Sequence, residues 1–115
     1  MIIPKDIDCI EITKPGGPEN LLLVKREMPK INLGEVLIRV KAAGVNRPDV
    51  MQRKGLYPPP PGASDIPGLE VSGEIVKINS KNTKFKLGDK VCALVSGGGC
   101  SSYCIVTIQQ TLPRH

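Results

Sequence analysis

Aromatic residues are nearly missing: one Phe, two Tyr and no Trp in 115 residues. Stacking platforms of the kind that grip single-stranded nucleic acid are therefore not expected, and the core has to be built from Ile, Val and Leu. Histidine is equally scarce, its sole copy being His115, so no imidazole stands earlier in the chain to act as a general base. No apolar run approaches the roughly 18 residues a membrane helix needs, and Met1–Asp6 has no apolar stretch of signal-peptide length. The expectation is a soluble, cytoplasmic protein with no membrane partner. Basic residues outnumber acidic ones by 16 to 11, but no basic run exceeds Lys25-Arg26, which describes a solvated basic surface and not a nucleic-acid footprint. Neither G-x-S-x-G nor G-x-x-x-x-G-K-[ST] occurs.

What is present is turn chemistry. Eleven prolines and 12 glycines, set against 40% hydrophobic and 23% charged residues, describe short strands joined by many turns, neither collagen nor a disordered tail. The length suits one domain over residues 1–115, burying about 65% of the surface its unfolded chain exposes. There is no internal repeat.

The cysteines are Cys9, Cys92, Cys100 and Cys104. Structural zinc sites pair their ligands twice at close spacing, whereas here only Cys100 and Cys104 are close, so no metal site is expected. The alternation of Cys100-Ser-Ser-Tyr-Cys104 predicts both cysteines on one side of a strand, as small apolar fillers.

Cys9–Thr13 alternates, Pro15-Gly16-Gly17-Pro18 breaks the chain, and Leu21–Val24 resumes it: strand, turn, strand. In Glu35–Val45, Val36, Ile38 and Val40 fall on one face and Leu37, Arg39 and Lys41 on the other, a strand buried on one side. From Asn46 to Lys54 a helix of about two turns is expected: Asn46 caps, Pro48 suits the first turn, Asp49 suits its positive end and Gly55 stops it. Pro58 to Pro61 follow Tyr57, and a run without backbone donors belongs to a surface loop or a groove lining. Further strands are expected over Leu69–Ile78, Phe85–Val91, Cys92–Val95 and Tyr103–Val106. Ser96–Gly99 is no phosphate loop, because strand formers and not a helix follow it. Six to eight short strands and one short helix make a mainly β fold, a curled barrel or sandwich.

Three constellations could carry chemistry. Asn46-Arg47-Pro48-Asp49 sets an amide and a carboxylate three apart at a strand-to-helix corner, which is equally what a capped helix needs. Tyr57 offers a phenol that either donates to a ligand or covers the core. In Pro67–Gly73, glycines flank Glu70, which either serves a site or pairs with a nearby cation.

Taken in order, Lys14–Leu21, Gly34–Leu37, Val45–Gly62, Gly68–Val76, Phe85–Val91 and Gly97–Tyr103 closely resemble the quinone oxidoreductase branch of the zinc-independent medium-chain dehydrogenase/reductase family. The resemblance covers nearly the whole chain. It implies a GroES-like, partly open β-barrel, followed in full-length members by a nucleotide-binding Rossmann domain that these 115 residues do not contain. It also implies NADPH as hydride donor and a quinone or enone as acceptor, with catalytic contacts from Asn46, Asp49 and Tyr57. Cofactor contacts would come from Asn46 and Glu70, and the proline run would wall the cleft. Zinc-dependent relatives place Cys where Asn46 stands and His where Leu69 stands, so the resemblance implies no zinc. Half a cleft cannot hold cofactor against acceptor, so the isolated chain is expected to be inactive and to bind no cofactor tightly. The alternative is a non-catalytic GroES-like assembly module. Either form is expected to self-associate or to join a separate nucleotide-binding chain, through its unpaired edge.

Overall fold

The computed structural model describes residues 3–56, 58–61, 63–81 and 83–113. The expected mainly β, partly open architecture is observed. A hairpin of β1 (Asp6–Ile12) and β2 (Leu21–Glu27) stands beside a five-stranded antiparallel sheet. That sheet is built from β3 (Glu35–Ala43), β4 (Glu70–Asn79), β5 (Lys90–Leu94), β6 (Tyr103–Thr107) and β7 (Thr111–Pro113). Its order is β6-β3-β4-β5-β7. Among the described residues the one α-helix is α1 (Arg47–Arg53), with short 3-10 turns at Pro18–Asn20 and Ile108–Gln110. No described helix is long and apolar enough to cross a membrane.

The aliphatic composition decides the core. Val36, Ile38, Val71, Ile75, Val91 and Val106 are almost completely buried, with Phe85, the single phenylalanine, closing one side. β-Branched side chains suit this because they pack well across a pleated surface and lose little rotamer freedom there. A second, smaller cluster of Ile7, Cys9 and Ile66 seats the hairpin. The hairpin is also bonded to the chain entering β6: the N–H of Ile10 donates to the Cys100 carbonyl at 2.9 Å and that of Ser102 to the Asp8 carbonyl at 2.7 Å.

Three local expectations are corrected. β3 is not one-sided, because Leu37 is as buried as its neighbours. A register shift falls between Leu37 and Ile38, and Met28, Pro29 and Ile31 line a hollow together with Leu37. Phe85–Asp89 is not strand but a turn, in which Lys86 N–H donates to the Asp89 carboxylate at 2.9 Å and Gly88 N–H to the Ile75 carbonyl at 2.7 Å; pairing begins at Lys90. Cys100 and Cys104 do not share a face. Ser101 Oγ lies 2.7 Å from the Gly98 carbonyl and 2.6 Å from that of Tyr103, which bends the backbone there and breaks the alternation. Cys104 enters the main core and Cys100 packs against the hairpin cluster.

Candidate functional site at the corner between β3 and α1

The chain leaves β3 at Ala43 and turns into α1 within three residues. Asn46 is the N-cap, in extended conformation, with Pro48 and Asp49 in the first turn as the residue types predict. Asp49 reaches back to accept the Asn46 N–H on Oδ2 at 3.0 Å, while its own N–H donates to the Asn46 carbonyl at 3.0 Å. Its other oxygen, Oδ1, accepts the buried N–H of Gly68 at 3.1 Å. Asp49 is only 8% exposed, whereas Asn46 in front of it is open to solvent. A carboxylate with a donor on each oxygen is stable when buried, and this one ties α1 to the turn before β4.

Gly68 adopts φ +106°, and a Cβ there would stand 2.5 Å from the Cys100 nitrogen. Only glycine lets the two loops meet, and they meet as a hydrogen-bonded seam. Gly98 N–H donates to the Ile66 carbonyl, Gly99 to that of Gly68 and Cys100 to that of Pro67, all at 2.8–2.9 Å. Gly98 and Gly99 thus spend their amides on the protein.

Glu70 opens β4 and is exposed. Its carbonyl accepts the Gly44 N–H at 3.0 Å, and its carboxylate lies over the Gly44 Cα, where a side chain would collide with it. It makes no ion pair among the described residues. Beside it runs a groove of about 520 Å³ bounded by Ala42, Gly44, Glu70, Ser72, Leu94 and Leu112. Beyond the corner, a smaller apolar hollow of about 260 Å³ is lined by Ile10, Leu21, Val45, Val50 and Cys100, with Asp49 at its wall.

Of the four site residues read from the sequence, Asn46 and Asp49 are therefore brought into direct contact. Glu70 joins them through Gly44 and the Gly68 turn, and Tyr57 lies outside the described residues. Burial, with the nearby Asp49 charge adding to it, pushes the Cys100 thiol up from its ordinary value, and burial pushes that of Cys104 up to about 12.

One cluster had no signal in the sequence. Arg26 on β2 donates from Nη1 to Asp65 Oδ1 at 2.7 Å and from Nη2 to Asp65 Oδ2 at 3.3 Å and Glu11 Oε2 at 3.2 Å. The two partners of the fork are 39 residues apart, so no local spacing announces it. The guanidinium bond holds the Asp65 carboxyl below the usual carboxylate range.

Residues 32–113 match the alcohol dehydrogenase GroES-like domain. The chain belongs to that family. Among relatives of this GroES-like domain, a synaptic vesicle membrane protein VAT-1 homolog from Danio rerio is 38% identical over 104 residues, covering 90% of this chain and 22% of its own length. A quinone oxidoreductase from Lama guanicoe is 39% identical over 93 residues, covering 78% of this chain and 28% of its own. A mycobacterial protein solved in complex with NADPH superposes with a TM-score of 0.81 at 29% identity, covering 94% of this chain and 34% of that one. The chain spans less than a third of the length of these two curated relatives. The GroES-like fold and the oxidoreductase kinship read from the motifs both stand.

Proposed function

We propose that this chain is the amino-terminal catalytic-domain portion of a zinc-independent, NADPH-dependent quinone oxidoreductase, acting on a quinone or enone. The observation that carries the reading is the corner itself: an exposed Asn46 whose backbone is held from behind by the buried Asp49. An exposed amide fixed at its main chain can donate a hydrogen bond to an acceptor oxygen as negative charge develops there, without reorganising. Kinship to a quinone oxidoreductase and likeness to an NADPH complex support the same chemistry.

The groove beside Glu70 fits a flat ring, with an apolar floor and one carboxylate at its rim. Phosphates find no cradle in the glycine run, whose Gly98 and Gly99 amides are already spent. This portion therefore offers a wall for the nicotinamide end, and its Gly98 and Gly99 amides offer the phosphates nothing. NADPH, when bound, supplies the hydride. Asn46 and Tyr57 orient the acceptor, Asp49 positions Asn46, and Glu70 borders the cofactor side. Asn46 and Leu69 stand where zinc-dependent relatives carry ligands, and neither side chain binds that ion well. With one wall only, the isolated chain does not catalyse.

The test is a chimera in which this chain replaces the matching segment of the Lama guanicoe enzyme, assayed for NADPH oxidation with a soluble benzoquinone. The chimera is expected to turn over, and the 115-residue chain alone is not. Turnover by the isolated chain would refute its inactivity. A folded chimera that binds NADPH yet leaves the quinone unreduced would refute the assignment.

A second reading, a non-catalytic assembly module, draws on Leu94 and Leu112, which are 65% and 58% exposed, Leu112 on the edge strand β7 and Leu94 at the end of its neighbour β5. Apolar residues on an unpaired edge favour self-association or a separate nucleotide-binding chain. Sedimentation showing monomer alone at high concentration would count against self-association.

A further inference from the structure

The geometry points to Arg26 as a positioning residue for the proline wall: its fork onto Asp65, four residues beyond Pro61, ties the chain that follows Pro58–Pro61 to the β1–β2 hairpin. The proline run offers no backbone donors, so along its length it can only accept hydrogen bonds, and the segments at its ends take more of the anchoring. Upstream, the N–H groups of Gly55 and Leu56 donate to the Gln52 and Met51 carbonyls, which ties that end to α1. Downstream, the chain turns as the Ala63 N–H donates to the Pro60 carbonyl at 3.0 Å, and the Ile66 N–H donates to Ser64 Oγ at 3.1 Å.

Those two bonds shape the loop but attach it to nothing else. Attachment comes at Ile66, which is buried with Ile7 and Cys9 and whose carbonyl accepts the Gly98 N–H, and at Asp65, where three elements meet. Its carboxylate is gripped by Arg26 of the hairpin, and its carbonyl accepts from Gln52 Nε2 of α1 at 2.9 Å. Glu11 on the neighbouring strand holds the same guanidinium, so the fork is aimed before Asp65 arrives. Exposed ion pairs generally contribute little, but a two-pronged guanidinium–carboxylate pair with a second carboxylate orienting it is the geometry that does contribute. The Asp65 side chain is 72% exposed and that of Arg26 31% exposed, so the grip is open to salt.

The role rests on the quinone oxidoreductase reading for what the wall borders, and not for whether the latch exists. Amide hydrogen exchange of the 115-residue chain decides the latch without cofactor or quinone. Arg26→Met and Asp65→Asn are each expected to speed exchange at Ala63 and Ile66 about five-fold, and the double variant no further than Arg26→Met, because each breaks the same two-pronged fork. Raising NaCl to molar strength is expected to bring the unsubstituted chain toward the same rates while leaving the variants unmoved. Lys25→Met, which removes the neighbouring Lys25–Asp8 pair, is the control and leaves the loop unchanged. Should Arg26→Met fail to fold, Asp65→Asn reads the same bond from its exposed side. Unaltered exchange in Asp65→Asn, or additive effects of the pair, would overturn the proposal. In the chimera, Asp65→Asn is expected to raise the quinone KM with kcat unchanged. A chimera that does not reduce quinone rejects the functional reading, while the exchange result still decides the latch.

Discussion

Gly68 donates its backbone N–H to Oδ1 of Asp49 across 19 residues of chain, inside the protein and at 3.1 Å. That bond joins the first turn of α1, which follows Asn46, to the start of β4, which carries Glu70. Asp49→Ala leaves the Gly68 and Asn46 amides without their acceptor, and is expected to cost about 2–4 kcal/mol. Asp49→Asn, which keeps one carbonyl oxygen, should cost less. Urea unfolding of the three proteins checks the order.

The Gly68 turn separates two costs that glycine substitutions usually mix. Gly68 and Gly88 both hold positive φ, +106° and +90°, but a Cβ at Gly68 meets the Gly99–Cys100 backbone whereas one at Gly88 meets nothing within 4 Å. Gly88→Ala should cost about 1 kcal/mol, from the backbone conformation alone. Gly68→Ala adds the clash and should cost about 2–4 kcal/mol. Equal losses in thermal or urea denaturation would contradict the seam.

The Cys104 thiol links stability to alkaline pH. Burial pushes its pKa from an ordinary 9.0 up to about 12, so the folded chain keeps a proton that the unfolded chain releases. Its contribution is complete below about pH 9 and is lost as pH climbs toward 12, with a slope of at most about 1.4 kcal/mol per pH unit. Cys104→Ala should flatten part of that decline in denaturation curves collected across the range. The same thiol should resist a disulfide exchange reagent at pH 8 until the protein is unfolded.

Most of the fold was legible because its signals are local. Alternation marks β1 and the middle of β3, the apolar run after the Pro-Gly break marks β2, and Asn46, Pro48, Asp49 and Gly55 bound α1 within a residue. What escaped was set by distant chain. Leu37 is buried on a face where residues 28–31 line a hollow with it, which no alternation reveals. β7 is three residues ending in a proline and exists by pairing with Val91–Ala93. At the corner, Asn46 and Asp49 were legible as a pair, since capping and site chemistry ask for the same residues at the same spacing. The Asp49–Gly68 bond and the Arg26–Asp65 fork were not, because each joins segments that only the folded chain brings together.

The glycine seam has a kinetic consequence. Its two sides, residues 66–68 and 98–100, lie some thirty positions apart, with β4 and β5 between them, so closing it costs least once that pair has formed. Closing long loops is slow because chain entropy is lost before contacts repay it. Pulse-labelled exchange during refolding should find the Gly98 and Cys100 amides protected later than those of Val71 and Ala93. The corner that holds Asn46 would then be among the last parts of the chain to take shape, and among the first to be missed when synthesis or refolding stalls.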